Sequence, residues 1–530
     1  MRTALISVYD KTGIIEFAQD LISLDFKIWA SGGTAKHLKD AGVSVEDVVN
    51  LVGARLPDGQ GGAIFGHRVV TLSREIHAGL LAKDNKEDRE ELQKLKIPFI
   101  DLVCVDLYPL EEEIKNPGAT RESVIEKTDI GGPTLLRAAA KGERIVICDA
   151  DDRKGVIEWL KNGEPEREKF LNKLAAKAEA VVARYCDTSA EYHSGGLYQS
   201  IFGKQVLECA YGENAWQKPA GLYRNHSGKT DPLAIHNWQL VAGSPLSYNN
   251  ICDLDRMLQT MTHIGAGMEK NFNNVPEIAI GAKHGNACGA GVGESETEAV
   301  EKMLLGDLRA IFGGSVMLNF PVDEKIAEVL IHKFAGETRR LLDVVAAPAF
   351  SAEAVEILSR KKGKCRLLVN PAVEKAGLTA LDTARRFRYV RGGFLEQPNY
   401  IFVPKIENKD AILTWAVGCT SNSNTITIVK DGRLYGNGVG QQDRVGAAKL
   451  AIFRADEANN GSADLQGATA YSDSFFPFPD AVEVLINRGI KTIFSTSGSV
   501  NDEKVIELCQ QKSVRLILLP DKEARGFYQH

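Results

Sequence analysis

The chain has 530 residues, 44% apolar and 25% charged, with a net charge of −6 and a pI near 6.0. Such a composition belongs to a folded globular protein and argues against broad nucleic-acid binding, while leaving room for a local basic pocket. No apolar run approaches the roughly 20 residues that span a bilayer. The nine cysteines are scattered singly, without a CxxC pair or zinc-ligand spacing, which predicts reduced thiols in a cytoplasmic protein.

Met1-Arg-Thr-Ala-Leu-Ile-Ser-Val-Tyr9 enters a strand-like run at once, with no leader-type apolar segment. Residues 3–8 read as a strand, Asp10-Lys-Thr-Gly13 as a turn and 14–22 as an amphipathic helix. A second strand, 26–30, runs into Ser31-Gly-Gly-Thr34 and a helix over 35–41. Strand–turn–helix repetition predicts a parallel α/β sheet. Ser-Gly-Gly-Thr before a helix offers N–H groups, hydroxyls and a positive dipole end to an anion; plain N-capping explains the same residues. Strands over 99–105 and 144–148 follow, the first ending in Asp106-Leu-Tyr-Pro109. Between them Asp129-Ile-Gly-Gly-Pro-Thr134 leads into a helix over 135–141. One cleft holding Tyr108, Asp129, Arg137 and Lys141 would be polar and charge-balanced; taken singly, each residue reads as a cap or a surface charge.

Residues 151–195 are helical and charged, and the first domain boundary is placed at about 195, giving regions 1–195 and 196–530. The second region again alternates strands and helices. Its central stretch is Gly281-Ala-Lys-His-Gly-Asn-Ala-Cys-Gly-Ala-Gly291, where an apolar strand runs into a Gly-rich turn. Lys283 and His284 on that turn pair a cation with a proton acceptor near neutral pH; the plainer reading is a surface basic dipeptide. Further polar landmarks are Tyr211-Gly-Glu-Asn214, Leu246-Ser-Tyr-Asn-Asn250, Phe312-Gly-Gly314, Ser423-Asn424, Gly440-Gln-Gln442 with Arg444, and Ser472-Asp-Ser-Phe-Phe-Pro-Phe478.

These landmarks, in this order, resemble the bifunctional AICAR transformylase/IMP cyclohydrolase family over nearly the whole chain. The resemblance implies a methylglyoxal-synthase-like parallel-sheet domain over 1–195. It also implies a larger two-lobed α/β transformylase region over 196–530 with cytidine-deaminase-like lobes. It implies formyl transfer from 10-formyltetrahydrofolate to AICAR, then ring closure to IMP, in a cytoplasmic homodimer that needs no metal for its chemistry. Carried residue by residue, His284 is the base and Lys283 its electrostatic or proton-donating partner. Asn424 and Asp473 orient the formyl group or its water, and Tyr108, Asp129 and Lys141 serve cyclisation. Ser7, Lys11, Ser31, Gly32 and Thr34 match the phosphate site of the cyclohydrolase. Arg68, Thr71, Tyr211, Gly314, Arg444, Phe475 and Arg525 match further substrate contacts. For Phe475, Phe476 and Phe478, ring stacking and core packing both fit.

The departures are specific. Val70 stands where the family has a cyclohydrolase lysine. Ala210 replaces the arginine of its Arg-Tyr-Gly-Glu-Asn segment and Trp216 a nearby histidine, Ala287 replaces a proline, and Pro479 replaces an arginine. Valine supplies no charge and alanine no bidentate phosphate contact. Three readings follow: both activities with altered sites; a divergent formyltransferase with a changed substrate and weak or absent cyclisation; or a non-catalytic nucleotide binder, which would have no use for a base–cation pair.

Overall fold

A computed structural model describes residues 1–52, 65, 69–225 and 231–530. The chain divides into two compact units, Met1–Phe202 and Gly203–His530.

In the first unit, apolar strands buried on both faces form an all-parallel sheet. Its order is Glu46–Asp47, Phe26–Ala30, Arg2–Ser7, Leu102–Val105, Ile145–Ile147. The chain builds outward from Arg2–Ser7 to one edge, then returns to pair Leu102–Val105 on its other side. Strand order therefore reverses between these two, and their carboxyl ends open the crevice where such sheets bind ligands. Two helices start earlier than their apolar pattern predicts, at Gly32 and Gly131, because glycines occupy their first turns. The charged stretch after residue 151 forms two helices, Asp152–Lys161 and Arg167–Ser194, the second ending on Gly195 in the left-handed conformation.

The second unit is organised by one 11-stranded sheet that contains the same arrangement twice. In the first lobe, the Tyr248–Phe272 helix precedes a hairpin, Glu277–Lys283 with Asn286–Gly293. Strands Ser315–Leu318, Val344–Ala347 and Arg366–Val369 follow, the first antiparallel to the hairpin and the others parallel to it in turn. In the second lobe, the Lys409–Cys419 helix precedes Ile426–Lys430 with Arg433–Gly438. Strands Thr469–Ser472, Thr492–Ser497 and Arg515–Pro520 repeat the pattern. The lobes join where Gly291 pairs with Arg433. This internal duplication has no short-period sequence signal.

The glycine-rich stretch after Lys283 is a strand and not a turn; the turn itself is only His284-Gly285. Its glycines serve close packing. A Cβ on Gly289 would lie 2.1 Å from the Met303 carbonyl oxygen, and one on Gly291 would lie 2.2 Å from that of Ala299. Both acceptors belong to the Glu296–Leu304 helix laid directly on the strand. Gly291→Ala should therefore destabilise the unit by about 1–3 kcal/mol, the usual scale of overpacking, seen as a lower urea midpoint with an unchanged m-value. A midpoint equal to that of the parent would show that helix and strand can separate at little cost.

Candidate functional sites

In the first unit the crevice gathers Ser7, Lys11, Ser31, Gly32 and Thr34. The Ser7 and Ser31 hydroxyls are 2.8 Å apart. Ser31 precedes the Gly32–Asp40 helix in an extended conformation, yet its hydroxyl does not cap the helix. Thr34 is turned inward, accepting from the Val8 N–H at 3.3 Å and donating to the Val8 carbonyl at 3.2 Å. The first N–H groups of this helix thus stay without a hydrogen bond among the described residues, as an anion site requires. Lys11 donates to the carbonyls of Val8 and Tyr9, and burial pushes its ammonium pKa down.

Across the crevice, Asp129 accepts from the Gly132 N–H at 2.8 Å at the start of the Gly131–Lys141 helix. A Cβ on Gly132 would fall 2.5 Å from the Asp129 carboxylate, so glycine is what admits the acid here. Burial raises the Asp129 pKa; partial burial of the phenol, then the Asp129 charge, raises that of the exposed residue Tyr108. Thr71 sits at the same helix start, its hydroxyl 2.6 Å from the place of a Gly131 Cβ.

Two expected members of this cleft lie elsewhere. Arg137 pairs with Glu179 at 3.1 Å on the exposed face between helices. Lys141 is an exposed residue in the helix's last turn, about 15 Å along the axis from Gly131, with no hydrogen bond or ion pair to Asp129 among the described residues. Arg68 lies outside the described residues. Val70 packs against the domain core. Two residues that the sequence reading missed do line the cleft. Lys127 sits over the Tyr9 ring at 5.1 Å, and Tyr9 meets Tyr108 edge-to-face at 5.6 Å. Tyr185 accepts from the Asp129 N–H at 2.7 Å and donates to the Lys127 carbonyl at 3.1 Å. Contacts spanning that much sequence leave no local signal.

In the second unit Lys283 ends its strand, and His284 and Gly285 make the hairpin turn with φ of 53° and 72°. Positive φ at both central residues is what a type I′ turn demands. The Asp253 carboxylate holds this turn, accepting from the Gly285 N–H at 2.7 Å and from the Ser315 hydroxyl at 3.2 Å. His284 is thereby presented to solvent, and the Lys283 ammonium is fixed on the Phe312 carbonyl at 3.0 Å. Gly314 is buried beside it, where a Cβ would stand 3.0 Å from the Ala282 carbonyl oxygen. Tyr211 is half-buried, and its backbone carbonyl accepts from the Tyr248 N–H at 3.1 Å.

Asp473 is fully buried: Arg444 occupies one carboxylate oxygen and the Thr425 N–H the other, at 3.1 Å. Arg444 also donates to the Phe475 carbonyl at 3.1 Å. In this arrangement Asp473 holds Arg444 and the backbone before Thr425 and has no free oxygen for a formyl group. Asn424 is tied to the Gln441 carbonyl at 2.9 Å. Arg525 pairs with Asp521 at 2.7 Å and lies 5.6 Å from the Phe475 ring. The aromatic run divides by burial, with Phe476 in the core, Phe478 on the surface and Phe475 half-buried at the site. Arg256 links the two lobes, donating to Asn286 beside the turn (3.4 Å), to the Thr420 carbonyl (2.7 Å) and to Asn422 (3.1 Å).

Among the described residues no cluster of His, Cys, Asp and Glu could hold a metal ion, and no helix is long and apolar enough to cross a membrane.

The model of the AICARFT/IMPCHase bienzyme family matches residues 139–454, and that of the MGS-like domain matches residues 13–134. The chain belongs to the AICARFT/IMPCHase bienzyme family. It is 35% identical over 544 aligned positions to the bifunctional purine biosynthesis protein PurH of Pediococcus pentosaceus, covering 98% of each chain. It is 34% identical to the protein of the same name from Staphylococcus carnosus, again over 98% of both. A solved structure, "Crystal structure of ForH", is 32% identical and covers 38% of this chain and all of its own, with a TM-score of 0.33.

Replacing Asp253 with Ala should lower formyl-transfer turnover about tenfold, the equivalent of one charge-assisted hydrogen bond, with little change in either KM. Unaltered turnover would show that the turn holds its shape without the carboxylate.

Proposed function

We propose that residues 203–530 transfer the formyl group of 10-formyltetrahydrofolate to the 5-amino group of AICAR. Residues 1–202 then close the product to IMP with loss of water. The observation that carries this reading is the Lys283–His284 pair on a turn pinned from beneath, which keeps a base and a cation side by side at the surface of a rigid sheet. The amine of AICAR is a poor nucleophile because its lone pair is delocalised toward the carboxamide. A base that takes its proton as the tetrahedral centre forms, with a cation near the developing oxyanion, addresses both difficulties. His284 is assigned the first role and Lys283 the second. The tetrahedral centre then collapses, breaking its bond to the folate nitrogen, which leaves with a proton as tetrahydrofolate. Arg444, Phe475, Asn424 and Arg525 line the second lobe's side of the site, with Asp473 keeping Arg444 in place.

Cyclisation joins two groups of one molecule, so preorganisation supplies much of the rate. The open helix start at Gly32, with Ser7, Ser31, Lys11 and Thr34, fits the phosphate. Tyr108, Asp129 and Thr71 face the reacting end. Lys127 supplies the cation that Val70 does not. A cytoplasmic homodimer with formyl-transfer sites at the subunit interface completes the reading, with folate as cosubstrate and no metal in the chemistry.

Purified protein given AICAR and 10-formyltetrahydrofolate should release tetrahydrofolate and IMP, each followed separately. His284→Ala should cut kcat for tetrahydrofolate release about 100-fold or more, the scale of general acid–base catalysis; near-normal turnover would remove His284 from the mechanism. Lys127→Met should slow IMP formation from the formylated intermediate about tenfold, as for one lost charge-assisted contact, without touching formyl transfer. Equal IMP formation would leave the missing cation at Val70 uncompensated.

A further inference from the structure

The last residues of the chain touch both lobes of the larger unit. In the second lobe, Tyr528 donates its N–H to the Ser421 carbonyl at 2.9 Å, and the Gln529 carbonyl accepts from the Ser423 N–H at 3.0 Å. The tail thus pairs in parallel with Asn422. Asn424 follows directly and exchanges both backbone hydrogen bonds with Gln441, at 3.2 and 3.1 Å. The segment that carries Asn424 is held between the tail and the Gln441 loop.

The Tyr528 side chain reaches the first lobe. Its hydroxyl donates to the Asp255 carboxylate at 2.7 Å, across 273 residues of sequence. Two guanidinium groups lie on its ring, Arg256 at 3.6 Å and Arg386 at 3.5 Å from the ring centre. Groups that close to one centre cannot share a face, so the ring is sandwiched between two cations, each drawn to a negative π-face. Arg386, on the Arg385–Val390 strand, also donates to the Tyr528 carbonyl at 2.7 Å.

Through that ring Tyr528 orients Arg256. The hydrogen bonds of Arg256 among the described residues all leave from one nitrogen, Nη2, which serves the Thr420 carbonyl, Asn422 and, beside the His284 turn, Asn286. Its Nε is buried without a partner among the described residues. One nitrogen fixes a point and not a plane, so the plane of the guanidinium is set by the ring on which it lies. Asp253, three residues earlier on the same helix, holds the Gly285 N–H of the turn. Asp253, Asp255 and Arg256 therefore connect the turn of one lobe to the tail that flanks Asn424 in the other.

We propose that Tyr528 is a positioning residue for formyl transfer, which fixes the plane of Arg256 and so keeps the His284 turn in register with the Asn424 segment. This rests on the formyl-transfer reading above. Tyr528 touches no reacting atom in this assignment and acts only through Arg256. Its ring matters more than its hydroxyl, because the ring sets the plane, while the backbone bonds of the tail to 421–423 need no particular side chain.

In the full chain, Tyr528→Met, which fills much of the space without a ring face, should lower kcat for tetrahydrofolate release about tenfold or more, since a misplacement of about 1 Å costs up to about 100-fold. Both KM values should stay unchanged, the mark of a contact that counts only in the transition state. Tyr528→Phe, which keeps the ring, should turn over close to the parent. Arg256→Lys, which keeps the charge without the plane, should lose as much as Tyr528→Met. The double variant should lose no more than either, because residues that act through one contact are not additive. Additive losses would overturn the assignment, as would a phenylalanine variant as slow as the methionine one. A parent-like kcat in Arg256→Lys would overturn it even if Tyr528→Met does not fold. Hydrogen exchange read by mass spectrometry separates this inference from the reading beneath it: Arg256→Lys should speed exchange over both 283–286 and 421–424. A parent that releases no tetrahydrofolate while exchange changes in this way defeats the formyl-transfer reading alone. A parent that turns over normally while Arg256→Lys leaves kcat and exchange as they were defeats this inference alone.

Discussion

In each lobe of the larger unit, a helix carboxylate accepts from the backbone of a two-residue hairpin turn whose residues both have positive φ. Asp253 takes the Gly285 N–H of His284-Gly285 at 2.7 Å, and Asp410 takes both N–H groups of Asp431-Gly432 at 3.0 and 2.8 Å. A non-glycine residue in the left-handed region is disfavoured, so the turn needs an external partner to keep it. Because that partner stands on the helix packed across the sheet, the turn inherits the rigidity of the core. What the second lobe does with an aspartate at the first turn position, the first lobe does with histidine. One scaffold thus supports two turns of the same geometry with different side chains at the exposed position.

The same comparison explains the buried ion pair. After the first parallel strand of each lobe, one side chain accepts from the start of the hairpin: Asn319 from the Ile278 N–H at 2.7 Å, and Asp473 from the Thr425 N–H at 3.1 Å. Asn319 meets its needs with neutral partners, donating to the Pro276 carbonyl at 2.9 Å. Asp473 brings a charge into the interior, and an unpaired buried carboxylate is costly. Arg444 is therefore drawn onto it and held at the site's edge. Its loss from either side would strand the other charge, which makes the pair a structural commitment as well as a means of orienting Arg444 and the Phe475 carbonyl.

The smaller unit uses helix starts in two opposite ways on either side of one crevice. At Gly32 the helix is left uncapped, because Ser31 turns to Ser7 and Thr34 turns inward to Val8. At Gly131 the start is filled by Asp129, whose carboxyl is raised by burial even as the Gly132 N–H pulls it back. A positive end left uncapped among the described residues and a capped one flank the strand-order reversal, which suits a substrate with an anion at one end and a proton-exchanging group at the other.

Read alone, the sequence determined the α/β class, the main strands and helices of the first region, the family, and the residue types Lys283, His284, Asp129 and Ser31, because periodicity and side-chain chemistry are local properties. It misread the glycines after His284 as a turn, since glycine has no side chain with which to show a strand's alternation. It also left Ser31 undecided between cap and anion site. Only the tertiary structure decided which charges are free and which are spent: Asp473 on Arg444, Arg137 on Glu179, Lys141 removed to the far end of its helix, Val70 in the core. It alone found Lys127, Tyr185 and Asp253. The physical reason is that a charge's availability depends on its partner. Partners such as Asp129 and Tyr185, 56 residues apart, or Asp253 and Gly285, 32 apart, meet only when strands and helices have packed.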